Sequence, residues 1–417
     1  MKNSNKKYKF YLFPHIYYAK SKSNLFLLYN TKTGLCIESE SSVCLEVIER
    51  MYVPANLGIA ELNNNEIQEK SLSSFIKRVI EYEFGNLIEQ NELGSDTMFV
   101  NFIPILNLQK DIERLKVEGK FTIGEDLLTY INELNIYVNN SCELECPNCD
   151  IYYKQTKSCY KTTSINNLSI DLIRALFENL KYSLLKKINI MGGDISKYND
   201  LKRLLQLIDE YKFDFEFHIW AHYQNFSKNE FFLSDNTNLI NDIIVSFPIE
   251  KEFEDFLINN ETNNIFHFLI ENESQYREIE KRFSHLNQYD IVPIYTGNNK
   301  LFFQEYICME KEDILANIIS FRTIFCNQKL NSNNFGKLYL FPDGTVKSNM
   351  NTDAIGNLNS ITLLEIIYNE LDKNTAWRKI RDNEPCNNCV FQYLCPPPSN
   401  YEFVMNKNNL CNLKTIF

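Results

Sequence analysis

The chain has 417 residues, 44% of them hydrophobic, and a formal net charge of −11. That length supports a sizeable core and exceeds one ordinary compact domain, so a barrel-sized centre with smaller flanking units is expected. The acidic balance, with no basic block, argues against nonspecific nucleic-acid binding, which needs a basic footprint on phosphate.

The opening MKNSNKKYKFYLF is basic but lacks an apolar run and a small-residue cleavage site, so it does not read as a secretion signal. No stretch approaches the roughly eighteen uninterrupted apolar residues of a membrane helix. A soluble, cytoplasmic protein with no membrane partner is expected. In such a reducing compartment, twelve cysteines read as metal ligands rather than disulfides.

Residues 8–38 read as short strands, KFYLF, HIYYAK, NLFLLYN and LCIE, with turns at SKSN and TKTG. Two helices follow: Cys44, Val47, Ile48 and Met51 share a face of the first, and Leu72, Phe75, Ile76, Val79 and Ile80 a face of the second. These make a first module over 1–84. A connector over 85–127 holds one helix near Leu106–Lys116.

From about residue 133 strands and helices alternate. The strands are LNIYVNN (134–140), KKINIMG (186–192), FEFHIWA (215–221), DIIVSFP (242–248), IFHFLIE (265–271) and DIVPIYT (290–296), with helical stretches between most of them. Repeated strand–helix units imply an α/β fold with a parallel sheet, and six of them suit a partial (β/α)6 barrel over 128–320. Ligands then gather at the C-terminal strand ends. The last zone, 321–417, is rich in cysteine and loops, with turn signals at PDG (342–344) and PPP (396–398).

Two cysteine groups carry the chemistry. Cys142, Cys146 and Cys149 follow the first barrel strand with spacing C-x3-C-x2-C. Three thiolates on one loop can hold three irons of a four-iron cluster and leave the fourth open to a substrate-like ligand. Cys386, Cys389, Cys395 and Cys411 follow C-x2-C-x5-C-x15-C. Four thiols would saturate a metal or cluster, giving a structural or electron-relay site, and spacing alone does not separate zinc from iron–sulfur. Glu271 and Tyr295 stand at later strand ends as candidate pocket groups. His218 and Trp220, on one strand, suit either the pocket or the core.

CELECPNC after a strand, followed one strand later by MGGD (191–194), resembles the radical S-adenosylmethionine (SAM) superfamily. The resemblance implies that Cys142, Cys146 and Cys149 hold a 4Fe-4S cluster whose open iron chelates SAM. It also implies that Gly192 and Gly193 let the backbone approach the methionine moiety, and that Asp194 accepts from its ammonium group. Asp194 stands where the family usually has Glu, and Asn148 where it usually has an aromatic residue beside the adenine.

The cysteine spacing near the end, preceded by PDGTVKSN and IGNLNSITLLEII, is similar to the SPASM auxiliary-cluster domain of peptide-modifying radical SAM enzymes. That pattern has seven cysteines. Here Cys326, Cys386, Cys389, Cys395 and Cys411 remain, while Asn349 and Ser399 occupy the other two positions. The resemblance therefore implies one auxiliary 4Fe-4S cluster on the last four, with Cys326 left over. Cys36, Cys44, Cys159 and Cys308 read as small apolar residues.

The first module is similar in size and order to the winged-helix recognition elements of ribosomal-peptide pathways, including the pyrroloquinoline-quinone peptide chaperone. Those bind a leader peptide as an added strand, here in a groove of Leu35–Glu38 and the helix around Ser71–Glu83. YLCPPPSNYE and LLYNTKTG also resemble the pseudo-radical-SAM proteins found beside Gly-Gly-leader peptides and their exporters. The implied function is a radical SAM peptide maturase that cleaves SAM to a 5′-deoxyadenosyl radical and modifies a precursor peptide, served by a low-potential reductant. Two alternatives stand beside it. One is a catalytically silent pseudo-enzyme that presents the peptide to a partner enzyme. The other is a metal scaffold whose winged-helix module binds DNA, which the acidic charge disfavours.

Overall fold

The computed structural model describes residues 6–90, 127–162, 164–227, 239–258 and 264–413. The helix expected near 106–116 lies outside them. The first module opens with strands β1 (Lys7–Leu12), β2 (Ile16–Lys20), β3 (Phe26–Asn30) and β4 (Cys36–Ser39). Helix α1 (Ser42–Tyr52), strand β5 (Ile59–Asn63), helices α2 (Asn64–Gln68) and α3 (Lys70–Glu81), and strand β6 (Gly85–Glu89) complete it. Each helix starts on a side-chain cap: Ser41 accepts from Cys44 N, Asn63 and Glu66 form a reciprocal box, and Glu69 accepts from Leu72 N.

The strands form two antiparallel sheets, β5-β1-β6 and β2-β3-β4. Both close on α3 through Phe75, whose ring meets Phe10 edge-on at 6.4 Å and Phe26 at 5.6 Å. Strands β5 and β6 are additions to the sequence reading. Ile80, expected on the buried face of α3, is instead 41% exposed. It sits at the edge of the arc set by the buried Leu72, Phe75, Ile76 and Val79. The opposite face of β2-β3-β4 presents Tyr17, Leu27 and Tyr29 to Ile314, Ile324, Phe391 and Leu394 of the C-terminal zone.

Among the described residues the centre is a nine-stranded, mostly parallel sheet. Its strands are β7 (Glu133–Tyr137), β8 (Lys187–Met191), β9 (Glu216–His222), β10 (Leu239–Ser246), β11 (Asn264–Ile270) and β12 (Tyr289–Pro293), all parallel and in chain order. Helices α4 (Cys149–Gln155), α5 (Ile170–Leu180), α6 (Leu201–Glu210), α7 (Tyr223–Ser227), α8 (Lys251–Ile258) and α9 (Glu273–Phe283) fall between these strands. Alternation divides the strand residues. Leu134, Ile136, Ile188, Ile190, Phe217, Ile219, Ile243 and Phe268 bury under α5, α6, α8 and α9. Tyr137, Met191, Trp220, Ile244, Leu269 and Tyr339 converge in a second cluster on the inner face.

After α10 (Lys300–Tyr306), α11 (Lys311–Leu315) and α12 (Phe321–Asn327), the C-terminal zone adds strand β13 (Lys337–Leu340) parallel to β7. A turn at Pro342–Gly344, where Gly344 takes φ +85°, leads to β14 (Thr345–Lys347), which pairs with β15 (Gly356–Asn357). The sheet thus continues past the boundary drawn at 321. Helices α13 (Leu363–Lys373) and α14 (Asn400–Met405) follow. Among the described residues no helix is long and apolar enough to cross a membrane.

Candidate active site

The loop after β7 and the turn after β8 are joined by backbone and amide hydrogen bonds. Asn139 Oδ1 accepts from Gly193 N at 3.0 Å while its Nδ2 donates to Asp194 O at 2.7 Å, and Asp194 N donates to Ser141 O at 2.6 Å. Cys142 follows directly, with Cys146 and Cys149 at the entry to α4. Gly193 is so close to this loop that a Cβ there would lie 2.4 Å from Ser141 O and 2.6 Å from Ser141 C. The glycine requirement at Gly193 therefore includes packing on the cysteine loop itself. A Cβ at Gly192 would meet the Asn139 side chain at 2.4 Å. Asp194 is buried, and its Oδ1 accepts from Ser196 N and Oγ, capping the turn that follows.

The three thiols of the loop are half-buried and within one another's electrostatic reach. Burial, then the neighbouring Cys149 and Cys142, pushes the Cys146 thiol up to about 11. Asn225 Nδ2 donates to Cys142 Sγ at 3.6 Å. A fourth thiol, Cys159, is buried beside them. Burial raises it first, then the three loop cysteines, and it receives the His222 backbone N–H. His222 itself is buried and held down to about 4 by desolvation, with Nε2 3.0 Å from Ser246 Oγ.

Asn148 takes a left-handed backbone, φ 58°, a conformation asparagine tolerates, and donates from Nδ2 to Glu271 Oε1 at 2.7 Å. The departure from an aromatic residue at 148 is thus tied to the strand-end acid singled out from sequence. Tyr295 is fixed through its backbone: Gln155 accepts from Tyr295 N at 2.7 Å and donates to its carbonyl at 2.9 Å. His218 and Trp220 lie on the same face of β9 as the inner cluster, in a hydrogen-bonded network. Asp242 bridges His218 at 2.6 Å and His267 at 2.7 Å, Trp220 stacks on His267 at 4.4 Å, and Trp220 Nε1 donates to Asn189 at 2.9 Å.

Cys386, Cys389, Cys395 and Cys411 line one small cavity in the C-terminal zone. Phe391 N donates to Cys389 Sγ at 3.4 Å and Asn409 Nδ2 to Cys411 Sγ at 3.4 Å, while Arg381 Nη1 stands 3.9 Å from Cys386 Sγ. Arg381 is buried and paired with buried Glu402 at 2.7 Å. N–H donors converging on thiols of this kind suit metal-bound thiolates. Asn349 and Ser399 hold no thiol and are fully engaged otherwise: Asn349 donates to Asn334 and Asn400, and Ser399 caps α14 with Glu402.

Among the described residues no group of three or more His, Cys, Asp or Glu side chains is close enough to hold one metal ion. A single ion gathers its thiolates at about 2.3 Å, whereas a four-iron cluster seats each on a separate iron. The all-thiol donor sets suit such clusters in chemistry, one set of three and one of four. Asn139, Ser141, Asn225, Cys159 and His222 were not found from sequence. Their signal is weak, because single asparagines and serines at strand ends look like turn residues.

No family model matches the sequence, and none of the curated proteins matches it. Among solved structures, the chain is similar to Streptococcus suis SuiB bound to S-adenosylmethionine, with 12% identity, 97% of this chain and 99% of that chain covered, and a TM-score of 0.45. The crystal structure of SuiB bound to precursor peptide SuiA gives 12% identity, 97% and 99% coverage, and a TM-score of 0.44.

Proposed function

We propose that the protein is a radical SAM enzyme that modifies a ribosomally made precursor peptide. The observation that carries this reading is the joining of the Cys142–Cys149 loop to the Gly192–Asp194 turn through Asn139 and Ser141, at the C-terminal ends of adjacent parallel strands. Cys142, Cys146 and Cys149 would hold a 4Fe-4S cluster with one open iron, which with SAM bound supplies one-electron reductive cleavage to a 5′-deoxyadenosyl radical.

The chain's own part is placement and exclusion of water. Gly192 and Gly193 bring the turn backbone against the cysteine loop, and Asn148 and Glu271 form a polar pair beside that loop. Tyr137, Met191, Trp220 and Ile244 line an apolar interior that keeps water from a reactive centre. Cys386, Cys389, Cys395 and Cys411 would hold a closed auxiliary cluster for electron relay or structure. The β4 edge, which among the described residues pairs with β3 alone, would receive the peptide leader as a further strand against α3, whose Ser71 Oγ lies 3.2 Å from Ser41 Oγ at the α1 cap.

The test is anaerobic reconstitution with iron and sulfide, addition of a low-potential reductant and SAM, and assay for 5′-deoxyadenosine. Its formation above a Cys142→Ala control is the expected result. Full cluster loading with no 5′-deoxyadenosine would replace this reading with that of a protein that only presents the peptide.

A further inference from the structure

The sheet β2-β3-β4 has a second edge, β2, which among the described residues pairs with β3 alone. Its register fixes which backbone groups face outward. Thr31 N donates to His15 O at 3.1 Å and Ser21 N to Leu25 O at 2.8 Å, and the same register sets Tyr17 opposite Tyr29 and Ala19 opposite Leu27. Bonding alternates along an antiparallel pair, so Tyr17 and Ala19 bond β3 while the N–H and C=O groups of Ile16, Tyr18 and Lys20 point the other way. Ile16 N turns back onto Phe13 O at 3.0 Å, and no described strand covers the others.

Ile16, Tyr18 and Lys20 border a cavity of about 230 Å3 between the first module and the C-terminal zone. Its two walls lie on opposite faces of the sheet. Tyr18 and Tyr52, stacked at 4.9 Å, pack on the core of the first module. Phe321 and Phe325 of α12, stacked at 5.3 Å, and Tyr393 form the wall on the side of the C-terminal zone.

Edge and walls together define what fits. A row of outward N–H and C=O groups is completed by another strand. A strand laid there meets aromatic rings on both of its faces, so its side chains must be apolar in succession rather than alternately, as in strands buried on both sides. A folded partner would bring its own packed layers against these walls, whereas a single extended chain fits between them.

We infer that the β2 edge is a second strand-addition site, which takes a short, continuously apolar stretch of the precursor peptide in extended form. Tyr18 N–H and C=O, Lys20 N–H and Ile16 C=O hold its backbone, and the aromatic walls select its side chains. That the peptide is the precursor rests on the proposed function; the form of the ligand rests on the edge and its walls.

Fluorescence anisotropy on the full chain tests this with fluorescein-Gly-Ser-Val-Ile-Val-Ser-amide and with the same peptide N-methylated at its Val, Ile and Val amides. The first should bind and the second should not, because N-methylation removes the donors that strand addition needs. Lys20→Pro removes an outward N–H and sets a ring against the incoming strand, yet leaves the ladder to β3 intact, as proline is tolerated on an edge. It should weaken binding roughly tenfold or more. Glu38 points outward on β4, since Asn30 N donates to Leu35 O in the register that pairs Leu28 with Ile37. Glu38→Pro therefore makes the same change at the other edge and should leave the affinity for this probe unchanged. If the near-UV circular dichroism of Lys20→Pro departs from wild type, Phe325→Ala decides, with a several-fold loss expected. No binding of the unmodified probe, equal binding of the N-methylated one, unchanged affinity in the deciding variant, or a loss in Glu38→Pro overturns the inference. The measurement needs neither a cluster nor SAM, so failure of this site and failure of the enzymatic reading are separate results.

Discussion

Substituting Gly193 by alanine tests how the cysteine loop is held. The added Cβ would lie 2.4, 2.6 and 2.9 Å from the O, C and N of Ser141, all backbone atoms that cannot rotate away. Relief requires the loop to retreat by about 1 Å, and overpacking of this kind costs about 1–3 kcal/mol. The retreat also stretches the hydrogen bond from Asp194 N to Ser141 O, worth about 1 kcal/mol more. A total of about 2–4 kcal/mol would fall on the segment that carries Cys142. Iron and sulfide analysis after reconstitution should show about four of about eight irons lost, since the four C-terminal cysteines lie on other segments of the chain. Gly192→Ala meets the Asn139 side chain, whose shift would break its bonds to Gly193 N and Asp194 O, and should lose iron from the same loop. Wild-type iron content and an unchanged urea midpoint for Gly193→Ala would refute the packing argument, whatever the effect on SAM.

Glu402→Ala leaves the Arg381 guanidinium buried without its carboxylate and should destabilise the C-terminal zone by about 3–5 kcal/mol, read as a lower urea midpoint and loss of the iron held there. His222 stays neutral in the fold down to about 4, while in the unfolded chain its imidazole takes a proton near 6.5. The unfolded state therefore binds more protons between these values, and stability falls as pH drops through that window by about 3 kcal/mol in all. His222→Gln should lose less stability than wild type between pH 7 and 4.5, and equal losses would contradict the assignment. Deleting residues 1–84 uncovers Ile314, Ile324, Phe391 and Leu394, so it should lower the unfolding midpoint of the remaining chain as well as weaken precursor binding.

The six parallel strands and most of their helices were legible because each strand is a run of β-branched and aromatic residues bounded by an amphipathic helix. The apolar faces of α1 and α3 were equally visible, whereas their caps, Ser41 and Glu69, were not read from sequence. Strand β6 (GNLIE) and strand β5 (IAELN) were missed because each is short and only part-buried, and their pairing with β1 comes from distant sequence. Strand β13 (KLYL) was hidden for the same reason: its partner β7 is about two hundred residues away, and only the turn after it was local. The cysteine positions could be read from spacing, but what holds them could not. Asn139 and Ser141 act through backbone contacts that leave no mark on composition. Cys159 looked like a core residue, and by burial it is one; its position beside three other thiols depends on the fold.

The central claim is that Cys142, Cys146 and Cys149 leave one iron open to SAM. The most direct test is the electron paramagnetic resonance spectrum of the reduced, reconstituted protein with and without SAM, alongside a variant with all three cysteines changed to Ala. The account predicts that SAM alters the wild-type spectrum, and that the variant keeps only a SAM-insensitive signal from the C-terminal site. A fully loaded wild-type protein whose spectrum SAM leaves unchanged would contradict it.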